Sequence, residues 1–127
     1  MLGPNDEEVS ADPPLTLRDL DERIHEFSKQ RGWTKSHSPR NLLLAMIAEV
    51  GELSEIFQWR GEVRPGLPEL TEQERVHVGE EMSDVLIYLM QMSRCCGIDL
   101  NAAVQDKMRK NNLKYPAPGK KRDESQE

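Results

Sequence analysis

The stretch HSPRNLLLAMIAEVGELSEIFQWR, residues 37–60, decides the fold. It opens with Ser38 and Pro39, a side-chain N-cap followed by proline at the first helical position, and continues without another proline to Gly61. At about 100° per residue, Glu49 and Glu52 share an arc with Leu42, Ala45, Leu53 and Ile56, while the far side carries Leu43, Leu44 and Ile47. A helix that is apolar all round belongs in an interior. The spacing therefore predicts a buried helix that carries two carboxylates inward.

Working outward, the connector EVRPGLPEL leads to a third helix that opens at Thr71, with Glu74 completing a capping box, and continues to Cys96 with Gly97 as C-cap. Upstream, a first helix opens at Thr16, with Asp19 as a weaker capping-box partner, and repeats Leu17, Leu20, Ile24 and Phe27 before Gly32. Downstream, a fourth helix starts near Asp99 and extends to about Asn112, ended by Pro116. No strand pattern interrupts this series, so the expected class is all-α with four helices. Residues 1–14, acidic and rich in Pro and Asp, and residues 117–127 lack apolar periodicity and read as disordered tails around a domain at 15–116.

Within the third helix, EEMSD repeats the spacing of EVGEL: Glu81 and Asp84 lie three residues apart, as Glu49 and Glu52 do. Glu81 and Asp84 project with Val78, Val85, Tyr88 and Met92, again into an apolar stripe. Such pairs are usually solvated, but here all four acids are expected to face an interior. Clustered buried carboxylates repel one another and cost several kcal/mol unless protonated or paired with a cation. Lys and Arg are scarce on these faces, so a hard divalent cation, Mg²⁺ with its preference for carboxylate and phosphate oxygens, is the expected partner. Glu55 and Glu80 could be further ligands, a base that activates water, or solvated boundary residues. Gly51 could allow close approach of a helix or ligand, or simply serve packing.

At 127 residues the chain has room for one small domain whose core is modest, which makes a partner subunit plausible. A net charge of −6 argues against gripping a nucleic acid polymer, and any phosphate ligand would need a mediating cation. No apolar run approaches the roughly 20 residues of a membrane span, and MLGPNDEEVSADPP lacks the regions of a signal peptide. The expectation is a cytosolic protein, with Lys120, Lys121 and Arg122 read as a solvated tail or a targeting signal and a nuclear or mitochondrial fraction left open. Cys95 and Cys96, adjacent inside a helical pattern, are expected to be reduced packing residues.

Three strings in order, HSPRNLLLAMIAEVGELSEIFQW, EEMSDVLIYL and KMRKNNLKYP, resemble the all-α nucleotide pyrophosphatases of the MazG type, and within that group the sequence is most similar to the eukaryotic dCTP pyrophosphatases. The resemblance covers about residues 15–116. It implies hydrolysis of a nucleoside triphosphate, dCTP favoured, to the monophosphate and pyrophosphate. Mg²⁺ would be held by an E-x-x-E and an E-x-x-D motif, matched here by Glu49, Glu52, Glu81 and Asp84. It also implies a homotetramer of helical subunits, a base pocket lined by Trp33, Trp59 and Tyr88, and substrate contacts from Lys107 and Asn111, extended by Lys114 and Tyr115, with Arg40 of the first string added. Two positions depart from the mammalian pattern: Gly32 stands where an Asp commonly precedes the first Trp, and Ile24 aligns with a pocket His, with His25 adjacent.

Apart from the resemblance, either tryptophan fits base stacking or plain core packing. No Gly-rich phosphate loop is present. Two rivals follow from the same residues. One is a di-iron carboxylate bundle built on Glu22-x-x-His25 and Glu74-x-x-His77, and the other is a non-enzymatic helical module in which the second helix serves oligomerisation. A third possibility keeps the chemistry and changes the substrate to dUTP, phosphoribosyl-ATP or a damaged nucleotide.

Overall fold

The computed structural model describes residues 13–119. Most of both expected tails, with Lys120, Lys121 and Arg122, lies outside the described residues. The elements run α1 (Leu17–Gln30), a 3-10 turn (Trp33–Ser36), α2 (Pro39–Gln58), α3 (Glu72–Cys95) and α4 (Leu100–Lys114), with no strand among the described residues. The chain is all-α, as its pattern predicts.

Local chemistry sets the helix starts. Thr16 and Asp19 exchange side-chain and backbone hydrogen bonds in a full capping box, and Thr71 and Glu74 do the same at α3. Ser38 Oγ accepts the Asn41 N–H at 3.1 Å, and Asp99 caps α4 through Ala102. At the end of α3, Gly97 takes φ of +67°; its N–H reaches Arg94 O and that of Ile98 reaches Ser93 O, the paired bonds of a Schellman turn. Two boundaries differ from the pattern. Helix α2 stops at Gln58, with Trp59 as its cap, and α4 runs two residues past Asn112 because only Pro116 forces an exit. The 3-10 turn after the left-handed Gly32 has no periodic signature in so short a segment.

Helices α2 and α3 form the principal packing contact as an antiparallel pair, and α1 lies against α3. Leu42, Val78 and Met90 are buried in this layer and Leu70 seals the connector, where Arg75 donates to the carbonyls of Gly66 and Leu67. The expectation of a fully buried α2 is corrected. Only Leu42 is buried, while Leu43, Leu44, Ile47 and Val50 are 38–55% exposed, because α3 is the one major neighbour and none of the described residues covers the opposite face. Cys95 and Cys96 are likewise exposed rather than packed, since they lie at the end of α3. No helix among the described residues is long and apolar enough to cross a membrane.

Candidate active site

The antiparallel pairing of α2 and α3 sets the turn bearing Glu49 and Glu52 opposite the turn bearing Glu81. Carboxylate oxygens of Glu49, Glu52 and Glu81 all lie within 4.8 Å of one another. Glu81 is buried at 9% exposure, Glu49 and Asp84 are half-buried, and Glu52 is exposed. Glu52 thus departs from the expected interior position: it sits a turn nearer the end of α2, where the acid cluster opens into a cavity.

Two observations distinguish the cluster from a solvated face. Glu49 Oε2 and Glu81 Oε2 are buried without a hydrogen-bond partner among the described residues. The Glu49 carboxyl is also pushed up to about 7, first by burial, then by its hydrogen bond with Glu52 and the charges of Glu52, Asp84 and Glu81. Oxygen donors without imidazole or thiolate suit a hard divalent cation such as Mg²⁺, so these residues fit the group. Asp84 acts on Glu49 through its charge from one turn further along α3.

His77 Nε2 pairs with Glu81 Oε1 at 3.2 Å, leaving Oε2 as the free atom. This histidine belongs to one of the two E-x-x-H strings, but the di-iron arrangement does not form. Glu74 is engaged by Arg60, Glu22 is exposed, and His25 lines a different cavity. On the open side of the cluster, a cavity of about 640 Å³ is lined by Glu52, Glu55, Trp59, Arg60, His77 and Glu81, among others. Glu55 therefore belongs to the site, whereas Glu80 is an exposed residue outside this lining.

A second cavity, about 350 Å³, lies one turn from the acids toward the start of α2 and the end of α3. Trp33, Asn41, Ala45, Tyr88 and Gln91 are on its wall. The structure brings Trp33 and Tyr88 together there and places Trp59, 86% exposed, at the first cavity. The two tryptophans flank α2 at opposite ends, so the three aromatics do not share one pocket within the chain. Arg40 is exposed and lines neither cavity, and Lys107, Asn111, Lys114 and Tyr115 are exposed on or just beyond α4, which makes no substantial contact with the other helices. A Cβ added at Gly51 would meet nothing within 4 Å, so no close approach is realised there among the described residues. Ser28, Asn41 and Gln91 escaped the sequence reading: Ser28 and Gln91 are 63 residues apart and belong to no motif.

Fold and site together define an all-α protein in which two antiparallel helices bring together clustered carboxylates that could hold a metal ion. The MazG-like family model matches residues 44–127. Curated relatives include dCTP pyrophosphatase 1 of Homo sapiens, 48% identical over 85% of this chain and 64% of that protein, and of Rattus norvegicus, 47% identical over 84% and 63%. Among solved structures, a pyrophosphatase from Archaeoglobus fulgidus superposes with a TM-score of 0.71 at 39% identity, covering 84% of this chain and 97% of that one. An iMazG from Vibrio DAT 722 gives 0.55 at 28% identity, over 81% and 100%. The chain belongs to the MazG-like family. It spans less than two thirds of the length of the curated relatives it matches.

Proposed function

We propose that the protein hydrolyses nucleoside triphosphates, dCTP and modified dCTP analogues foremost, to the monophosphate and pyrophosphate with Mg²⁺, acting on the cytosolic nucleotide pool. The observation that carries this reading is the trio Glu49, Glu52 and Glu81, with two buried, unpartnered carboxylate oxygens between two helices. Relatives named dCTP pyrophosphatase and a neighbour named pyrophosphatase support the choice of reaction.

Glu49, Glu52, Glu81 and Asp84 would hold the cation. When bound, Mg²⁺ offsets phosphate charge and lowers the pKa of a coordinated water. Water adds to the α-phosphorus, the bond to the bridging oxygen breaks, and pyrophosphate leaves. Trp33 and Tyr88 receive the base, while Trp59 lines the separate cavity at the other end of α2.

We further assign the assembly as a homotetramer, a helical-bundle oligomer in which a neighbouring subunit covers the exposed face of α2. Val104, Met108 and Tyr115 leave the α4 region with uncovered apolar surface too. In that assembly Arg40, Lys107, Asn111, Lys114 and Tyr115 serve a neighbour's triphosphate.

The test is pyrophosphate release from dCTP with Mg²⁺. Glu49→Gln and Asp84→Asn are each expected to abolish it, and full retention by either variant would overturn the assignment.

A further inference from the structure

Gln91 stands between two cavities. It lines the pocket of Trp33 and Tyr88 and also a neighbouring one of about 310 Å³ that contains Ser28, His37 and Arg94. Its Nε2 donates to Ser28 Oγ at 2.8 Å, and Ser28 is almost completely buried. The other end of the amide, Oε1, is buried without a hydrogen-bond partner among the described residues. An acceptor left in this state costs free energy until a donor reaches it. Of the neighbouring donors, Asn41 Nδ2 bonds to the Ser36 carbonyl at 3.0 Å and Arg94 Nη1 to Asp21 at 2.8 Å, and no donor among the described residues reaches Oε1.

We propose that Gln91 reads the base, its Oε1 accepting a hydrogen bond from the exocyclic amino group of cytosine and thereby disfavouring bases that carry a carbonyl at that position. The inference rests on the pyrophosphatase reading and deepens it. Position supports the role. Gln91 lies two helical turns along α3 from Asp84, about 10 Å of rise, comparable to the span from the 4-position of a pyrimidine to the α-phosphate of its nucleotide. The aromatic neighbours Trp33 and Tyr88 occupy the interval. A cytosine amine supplies the missing donor. Uracil and thymine would bring a carbonyl oxygen against another oxygen, and a pocket with a committed polar group rejects the mismatched partner more strongly than an apolar pocket does. In the orientation observed, Ser28 engages the amide N–H and leaves the oxygen as the free end, so Ser28 is assigned as a positioning residue.

The experiment compares kcat/KM for dCTP, dUTP and the pyrimidin-2-one deoxynucleoside triphosphate, which lacks the 4-amino group and adds no bulk, using the full chain with Mg²⁺. The wild type is expected to favour dCTP over both others by about 10- to 100-fold, the range that one unmade hydrogen bond to a buried acceptor produces. Gln91→Met, nearly isosteric and without an acceptor oxygen, is expected to lower dCTP turnover while leaving the other two close to their wild-type values, so the ratios collapse. Ser28→Ala is expected to raise dUTP turnover by freeing the amide to turn its N–H toward the base. Equal losses on all three substrates, or a wild type indifferent to the amino group, would overturn the inference alone. No pyrophosphate from any triphosphate would overturn the pyrophosphatase reading and this inference with it. A wild type indifferent to the amino group overturns the inference even if a variant does not fold, and Ser28→Ala tests the assignment to Gln91 independently of Gln91→Met.

Discussion

At Glu49 burial and neighbouring charge work against ionisation, and the consequence is measurable without substrate. Its ordinary value of 4.5 is raised to about 7 in the folded chain. Between those values the native state keeps a proton that the unfolded state has lost, so the contribution to stability is full below 4.5 and disappears as pH rises through about 7. The melting temperature of the metal-free protein should therefore fall as pH is raised across that window. Glu49→Gln should flatten the fall, and Mg²⁺ should counter it by taking the place of the proton. A melting curve as steep in the glutamine variant as in the wild type would contradict this origin. His77 acts on the same cluster from outside: with Oε1 of Glu81 held, Oε2 would remain for the proposed cation. His77→Ala should weaken Mn²⁺ binding about 10-fold by calorimetry, with His77→Gln recovering part of it. Unchanged affinity in the alanine variant would remove His77 from this role. The i, i+3 spacing of the four acids was legible in the sequence because it is a local property, whereas the exposure of Glu52 depends on where α2 and α3 cross. The Ser28–Gln91 pair was not, since a hydrogen bond across 63 residues leaves no local pattern.

At the scale of elements, α3 positions two of the four acids, and its start depends on one reciprocal pair of hydrogen bonds. Thr71→Ala removes a side-chain cap and should cost about 1 kcal/mol, lowering the melting temperature by about 4 to 8 °C. A change within error would show that the connector, clamped by Arg75, defines the helix start without it. Caps at Thr16, Ser38, Thr71 and Asp99 lie close to where their residue types place them, because capping is settled within four residues. Burial is different. The apolar circumference of α2 is plain in the sequence, yet the single chain covers only part of it, and a sequence does not state whether the covering surface comes from the same subunit. The same limit separates Trp33 from Trp59: both flank α2, but about 30 Å of helix lies between its ends.

For the whole molecule, the exposed row Leu43, Leu44, Ile47 and Val50 and the uncovered apolar residues of α4 are the surface that the proposed tetramer would cover. Leu44→Glu combined with Ile47→Glu should convert the proposed tetramer to smaller species in size-exclusion chromatography with light scattering. Pyrophosphate release should fall in parallel, because the α4 cations would no longer reach a neighbour's cleft. A monomeric wild type with full activity would contradict that assembly.

The central claim, that these carboxylates support attack of water on the α-phosphorus of a nucleoside triphosphate, is tested most directly by product analysis after turnover of dCTP in ¹⁸O-labelled water. The expected result is dCMP and pyrophosphate in equal amounts, with the label on dCMP and no turnover when Mg²⁺ is chelated. Release of free phosphate with dCDP, label in pyrophosphate, or undiminished turnover in the presence of chelator would contradict it.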